Sequence, residues 1–153
     1  MIAGDRLVLL DTNILVYLTR WDEVGQSINS SFELLSRSER PLLSYVTVAE
    51  VLSLSRKFGW GEEKTSFVYR MERKLVTVPI EDERILDEYV RIDRFSESVG
   101  ETMGKNDIWI AATAAATEAV LLTTDSDFDH LDGGFVSRFL VDAETGDVLD
   151  EPE

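Results

Sequence analysis

The chain has no cysteine, which excludes disulfides, thiolate nucleophiles and zinc ribbons. Its only histidine, His130, lies between Asp129 and Asp132 and reads as a surface residue, so imidazole contributes no metal site. No apolar run approaches the roughly 20 residues that a membrane helix needs. The N-terminus, Met1 to Arg6, lacks the basic start and long apolar segment of a signal peptide, so the cytoplasm is the expected location. Repeats and low-complexity linkers are absent. Lysine is scarce, with only Lys57, Lys64, Lys74 and Lys105.

Positive charge is also scarce. Thirty acids against 15 bases give a net charge of −15 over 153 residues. Asp142, Glu144, Asp147, Asp150, Glu151 and Glu153 form an acidic tail, yet thirty acids less these six still leave 24 against 15 bases. Such a surface opposes broad phosphate binding, which depends on neutralising basic side chains. It suits a high-salt cytoplasm, where repulsion is screened over a few ångströms. The length fits one domain spanning 1–153, with its core over about 7–141 and an acidic tail or hairpin over 142–153.

The organising stretch is Leu7 to Leu18. Leu7–Leu10 shows no alternation and reads as a strand buried on both faces. After Asp11, Ile14, Leu15, Tyr17 and Leu18 fall at helical spacing. Helices are predicted over Glu23–Arg37, from Thr47, over Glu62–Lys74, over Glu81 to about Val99 with Ile85, Leu86, Tyr89, Ile92 and Phe95 inward, and from Asn106 through an alanine-rich run. Strands are predicted at Leu42–Tyr45, Leu75–Ile80, Ala119–Thr123 and Phe139–Val141, with Val148-Leu149 closing a terminal hairpin. This alternation specifies an α/β fold with a mostly parallel sheet.

Four acids share one context. Asp11 and Asp125 each follow a buried strand, Glu50 lies in the first turn of a helix, and Asp107 opens the alanine-rich helix. Each also has a purely structural reading. Asp11 and Asp107 suit N-caps, Thr47 and Glu50 form a capping-box pattern, and Asp125 suits a turn or a one-turn helix. Parallel strands, however, bring their C-terminal ends to one edge of the sheet, where ligands bind. Carboxylates crowded there raise one another's pKa unless a cation neutralises them, and an oxygen-only set suits Mg²⁺ or Mn²⁺. With no cysteine and no phosphate-cradling glycine loop, such a site points to phosphodiester hydrolysis.

Asp11-Thr12-Asn13, Glu50 on a helix, Asn106-Asp107 before Ile-Ala-Ala-type residues, and Thr124-Asp125-Ser126-Asp127-Phe128 resemble the PIN-domain family. More narrowly they look like the ribonuclease toxins of VapBC toxin–antitoxin pairs. The resemblance runs over about residues 7–141. It implies a three-layer α/β/α sandwich with a central mostly parallel sheet, a Mg²⁺- or Mn²⁺-dependent ribonuclease, a homodimer and a neutralising antitoxin. Asp11, Glu50, Asp107 and Asp125 match the family's catalytic acids, and Asp127 matches a further metal-binding acid. Thr124, or Thr123, corresponds to the hydroxyl that supports the first aspartate's loop, and Asn13 to a supporting residue. An RNA-processing or decay nuclease, or an inactive scaffold, would share the fold.

Two other acidic-pocket classes fit poorly. A receiver domain needs an acid pair after its first strand and an aspartate after its third; a haloacid-dehalogenase-type phosphatase needs an aspartate where Asn13 stands. The expected path for the RNA backbone is Lys105, on the loop before Asp107, with Arg91 or Arg94 beside it; pairing of those arginines with Glu88 or Glu97 is the alternative. Trp21, Phe58 and Trp60, at predicted element ends, suit interface anchors.

Overall fold

The computed structural model describes residues 2–153. Its strands are β1 (Val8–Leu10), β2 (Leu42–Ser44), β3 (Val76–Val78), β4 (Val120–Thr123), β5 (Ser137–Val141) and β6 (Val148–Asp150). Its helices are α1 (Thr12–Arg20), α2 (Glu23–Phe32), α3 (Tyr45–Lys57), α4 (Glu62–Lys74), α5 (Glu83–Ser98) and α6 (Lys105–Thr117), with a 3₁₀ helix at Ser126–Leu131. One sheet runs in the order β3-β2-β1-β4-β5-β6. The first five strands are parallel, and β6 returns antiparallel to β5.

Alternation along the buried strands separates two cores. Val8 and Leu10 of β1 and Leu122 of β4 join Ile14, Leu18, Phe32, Val51 and Met71 beneath α1–α4. Leu9 and Leu121 face the other way, onto Ile85, Ile92, Ile108 and Ala111 of α5 and α6. The mostly parallel sheet between two helical layers is the expected α/β/α arrangement. Ala111, Ala112 and Ala114 are buried in α6, where small side chains allow close approach and alanine favours the helix. Gly25 plays the same part between α1 and α2, because a Cβ there would overlap the Tyr17 carbonyl.

Several boundaries differ from expectation. The second helix stops at Phe32, not Arg37, because Glu33 takes a left-handed conformation at φ 51°. Arg37 then turns inward, and its guanidinium donates to the carbonyls of Ala3, Arg6 and Phe32. α3 begins at Tyr45 and is capped by Ser44, whose side chain accepts from the Val46 N–H. Thr47 therefore sits inside the helix, and the capping-box reading of Thr47 and Glu50 is incorrect. Leu86 is 52% exposed rather than inward-facing. Among the described residues, no helix is long and apolar enough to cross a membrane.

Candidate metal centre

The sheet order places a switch point at β1. The chain leaves β1 toward β2 on one side, and later inserts β4 on the other. Connections after β1 and β4 therefore diverge, opening a crevice at the C-terminal ends of those strands. The β1–β4 register pairs Leu10 with Leu122, and the Asp11 N–H continues it by donating to the Leu122 carbonyl at 3.0 Å. Asp11 and Thr123 are thus opposite one another, just beyond that pair.

This register sets the first contact. The Thr123 hydroxyl donates to Asp11 Oδ2 at 2.7 Å, and Asp11 Oδ1 accepts the Thr12 N–H at 2.7 Å. Asp11 thereby caps α1 while presenting a carboxylate at the sheet edge. The Thr123 oxygen also accepts the Asp125 N–H at 2.9 Å, and Asp125 Oδ1 accepts the Asp127 N–H at 2.8 Å. One buried hydroxyl thus links the turn after β1 to the turn after β4. On the opposite side, Thr12 Oγ1 donates to Glu50 Oε1 at 2.7 Å and lies 3.3 Å from the buried Thr47 hydroxyl. Thr47 and Glu50, three residues apart on α3, share the face turned toward Thr12.

Asp107 arrives from a different direction. α6 is capped by the backbone of Gly104 rather than by Asp107, which occupies the first turn. Carboxylate oxygens of Asp107, Asp125 and Asp127 all lie within 4.8 Å of one another. Burial raises the Asp107 pKa to about 7, with Asp11, Asp125, Glu50 and Asp127 adding like-charge repulsion. Burial also raises Asp11, to about 6, against the lowering effect of its bonds from Thr123 and Thr12; the charges of Asp125 and Glu50 push it up further. Five acids from four connections therefore feel one field. An oxygen-only donor set under mutual repulsion fits a hard divalent cation.

The remaining candidates divide. Asn13 Nδ2 donates to Thr124 Oγ1 at 3.4 Å, so this pair ties the same two turns together. Thr123, not Thr124, supplies the hydroxyl on Asp11. Sequence alone left that choice open, since it depends on strand register. Thr12 and Thr47 were missed as supports of Glu50, although Thr12 directly follows the key aspartate. Lys105 is the exposed first residue of α6. Arg91 pairs with Glu88 at 2.7 Å, and Arg94 with Asp93 at 3.0 Å and Glu97 at 2.6 Å, so both are held by acids of α5 itself. Lys57, not singled out from sequence, lines a surface cleft of about 540 Å³ with Glu50 and Asn106.

Known proteins resemble this chain in sequence and in fold. The ribonuclease VapC1 of Haemophilus influenzae is 28% identical over 120 residues, covering 76% of this chain and 85% of that protein. Among solved structures, VapBC2 of Rickettsia felis bound to a promoter DNA fragment superposes with a TM-score of 0.73 at 22% identity, over 86% of this chain and 98% of that one. VapBC-1 of nontypeable H. influenzae gives a TM-score of 0.68 at 26% identity, over 82% of this chain and 92% of that one. The PIN domain family model matches residues 8–134, from β1 through the acids of the 3₁₀ helix, and the chain belongs to the PIN domain family.

Proposed function

We propose that this chain is a divalent-metal-dependent endoribonuclease, the toxin of a toxin–antitoxin pair, with Asp107, Asp125 and Asp127 holding Mg²⁺ or Mn²⁺ beside Asp11 and Glu50. The observation that carries this reading is the approach of the three carboxylates within 4.8 Å at the crevice beside the buried Asp11. Membership of the PIN family and the likeness to a VapC1 ribonuclease supply the substrate class. A bound cation would neutralise the pocket and stabilise charge developing on the phosphate. The chain's own residues orient the acids: Thr123 fixes Asp11, Thr12 fixes Glu50, and the Asn13–Thr124 pair holds the two turns in register.

Flanking phosphates need positive charge that the cation cannot supply. In this reading Lys105 and Lys57 provide it. The antitoxin partner is supported by the VapBC complexes among the similar structures. An apolar cleft of about 590 Å³, lined by Leu35, Phe67 and Met71 and rimmed by Lys64, Arg70 and Lys74, suits an acidic amphipathic segment of that partner. Trp21, in the same cleft, and Phe58 are exposed by 41% and 55%, and we assign Phe58 to a homodimer contact.

Cleavage of a single-stranded RNA by the purified chain tests the activity. Cleavage should require Mg²⁺ or Mn²⁺, stop on chelation, and fall by about a hundredfold or more in Asp107→Asn, given what a cation contributes at such sites. Undiminished cleavage in chelator, or in Asp107→Asn, overturns the reading.

A further inference from the structure

Arg138 is the second residue of β5 and is only 4% exposed. Its neighbour Phe139 joins the core beneath α1–α4, so Arg138 faces the α5–α6 layer, on the side of Phe128 and Leu131 of the 3₁₀ helix. The guanidinium lies between two acids from different segments. Nε is 3.1 Å from Asp129 Oδ1, an ion pair without hydrogen-bond alignment, and Nη2 donates to Asp150 Oδ2 at 2.9 Å. The third nitrogen, Nη1, is buried with no partner among the described residues. Backbone ties join the same parts. The Arg138 N–H donates to Asp132 Oδ1 at 3.0 Å, and the Glu153 N–H to Asp132 Oδ2 at 3.2 Å.

We propose that Arg138 and β6 form a brace that sets the position of the 3₁₀ helix and, through it, of Asp125 and Asp127 against Asp107. This rests on the metal-centre reading above and adds positioning residues outside the segment 8–134 that the family model matches. A six-residue 3₁₀ helix is long for its kind, and the poorer hydrogen-bond geometry of 3₁₀ turns makes its placement depend on outside ties. At its front, Asp125 is fixed by the Thr123 hydroxyl. At its rear, Asp129 is drawn to Arg138, Asp132 caps it, and His130 Nε2 meets the Ser96 hydroxyl at 2.8 Å. Because Arg138 is buried while Asp129 and Asp150 keep much of their solvent contact, displacing either acid leaves a desolvated guanidinium under-compensated. The electrostatic cost therefore resists movement of both the 3₁₀ helix and β6. On this account, part of the acidic tail serves the buried cation and not merely surface charge.

The test measures free Mn²⁺ by electron paramagnetic resonance, giving affinity without turnover, and amide exchange over Asp127–Leu131. Arg138→Met, Asp150→Asn and Val68→Ala are compared with the wild type. Val68 is buried in α4, which packs on α1 and α3, so its truncation lowers stability without touching the brace. Arg138→Met should weaken Mn²⁺ binding about fivefold or more and speed exchange in the 3₁₀ helix, with Asp150→Asn about two- to threefold, less than the roughly 10–100-fold of groups bonded directly to metal ligands because the brace acts through the 3₁₀ helix. Val68→Ala should lower Tm yet keep Mn²⁺ affinity within about twofold. If Arg138→Met does not fold, Asp150→Asn decides. Wild-type affinity and exchange in the decisive variant overturn the brace, as does an equal loss of affinity in Val68→Ala. A wild type that binds no Mn²⁺ overturns the metal-centre reading itself.

Discussion

Two sides of the carboxylate pocket are built on different terms. Asp11 and Glu50 each accept a threonine hydroxyl at 2.7 Å, and those hydroxyls are themselves fixed at the end of β4 and at the start of α1. Asp107, across the crevice, has its pKa raised by burial and like charge, with no hydrogen bond to lower it. One side is organised before any cation arrives; the other is held under electrostatic tension that a cation would release. The preorganised side can fix an orientation at little cost on binding, whereas the strained side makes binding favourable.

The largest effect should separate the sides by stability in the absence of metal. Raised carboxyl pKa values favour the native state while the groups are protonated. That contribution is complete below the unfolded value near 3.8 and is lost as pH rises through about 6 for Asp11 and about 7 for Asp107. The metal-free protein should therefore lose stability between about pH 4 and pH 7, and saturating Mn²⁺ should restore it. Asp107→Asn removes the strained charge alone. Allowing for solvent screening, it should stabilise the metal-free protein at pH 8 by roughly 1–2 kcal/mol, or about 2–8 °C in Tm, with little effect at pH 4. Asp11→Asn should gain less, because it also disturbs the bonds from Thr123 and Thr12. Calorimetry across pH checks both. Equal stabilisation by the two variants would erase the contrast.

A second pair of variants tests the organised side directly. Thr123→Val keeps the shape but removes the hydroxyl shared by Asp11 and Asp125. Both the Asp11 carboxylate and the Asp125 N–H then lose a buried partner, which should cost about 1–3 kcal/mol. Mn²⁺ affinity should also fall. Thr124→Val, whose hydroxyl only receives the longer 3.4 Å bond from Asn13, should cost less than about 1 kcal/mol. Thermal unfolding of the pair decides between them, and the reverse order would show that the register argument is misplaced.

That pair of threonines marks where sequence reading stops. Asp11, Asp107 and Asp125 were legible because each stands just past a strand or in a helix's first turn, where apolar runs give way to polar residues, and Glu50 because it lies on the helix that follows a short buried strand, in its second turn rather than its first. The sheet was legible because buried parallel strands carry uninterrupted apolar residues. Which of two adjacent threonines meets Asp11 was not, since successive residues point to opposite faces and only the pairing of Leu10 with Leu122 fixes the choice. The start of α3 failed similarly: Ser44 and Thr47 are both suitable caps, and the end of β2 selects Ser44. Leu86 shows the limit of periodicity, which identifies an apolar stripe but not how wide a stripe the neighbouring helix covers. Arg138 could not be found at all, because its charge argued for the surface while its partners lie in the 3₁₀ helix and in β6.

The smallest effect concerns the substrate path on a strongly acidic chain. Arg91 and Arg94 are held in ion pairs by acids of their own helix, whereas Lys105 opens α6 two residues before Asp107. Lys57 shares a cleft with Glu50 and Asn106, seven residues beyond Glu50 on α3 and so about 10 Å along the same helix. A strand of RNA crossing the pocket would meet one lysine on the α6 side and the other on the α3 side. Lys105→Ala and Lys57→Ala should each weaken RNA binding without sequence preference and reduce its salt dependence by about one unit, while leaving Mn²⁺ affinity nearly unchanged. The double variant should reduce the slope by about two, because separated phosphate contacts release counterions independently. Arg94→Ala serves as the comparison, since removing a base already neutralised by Asp93 and Glu97 should leave the slope unaltered. A slope that changes with Arg94 and not with either lysine would move the RNA path onto α5.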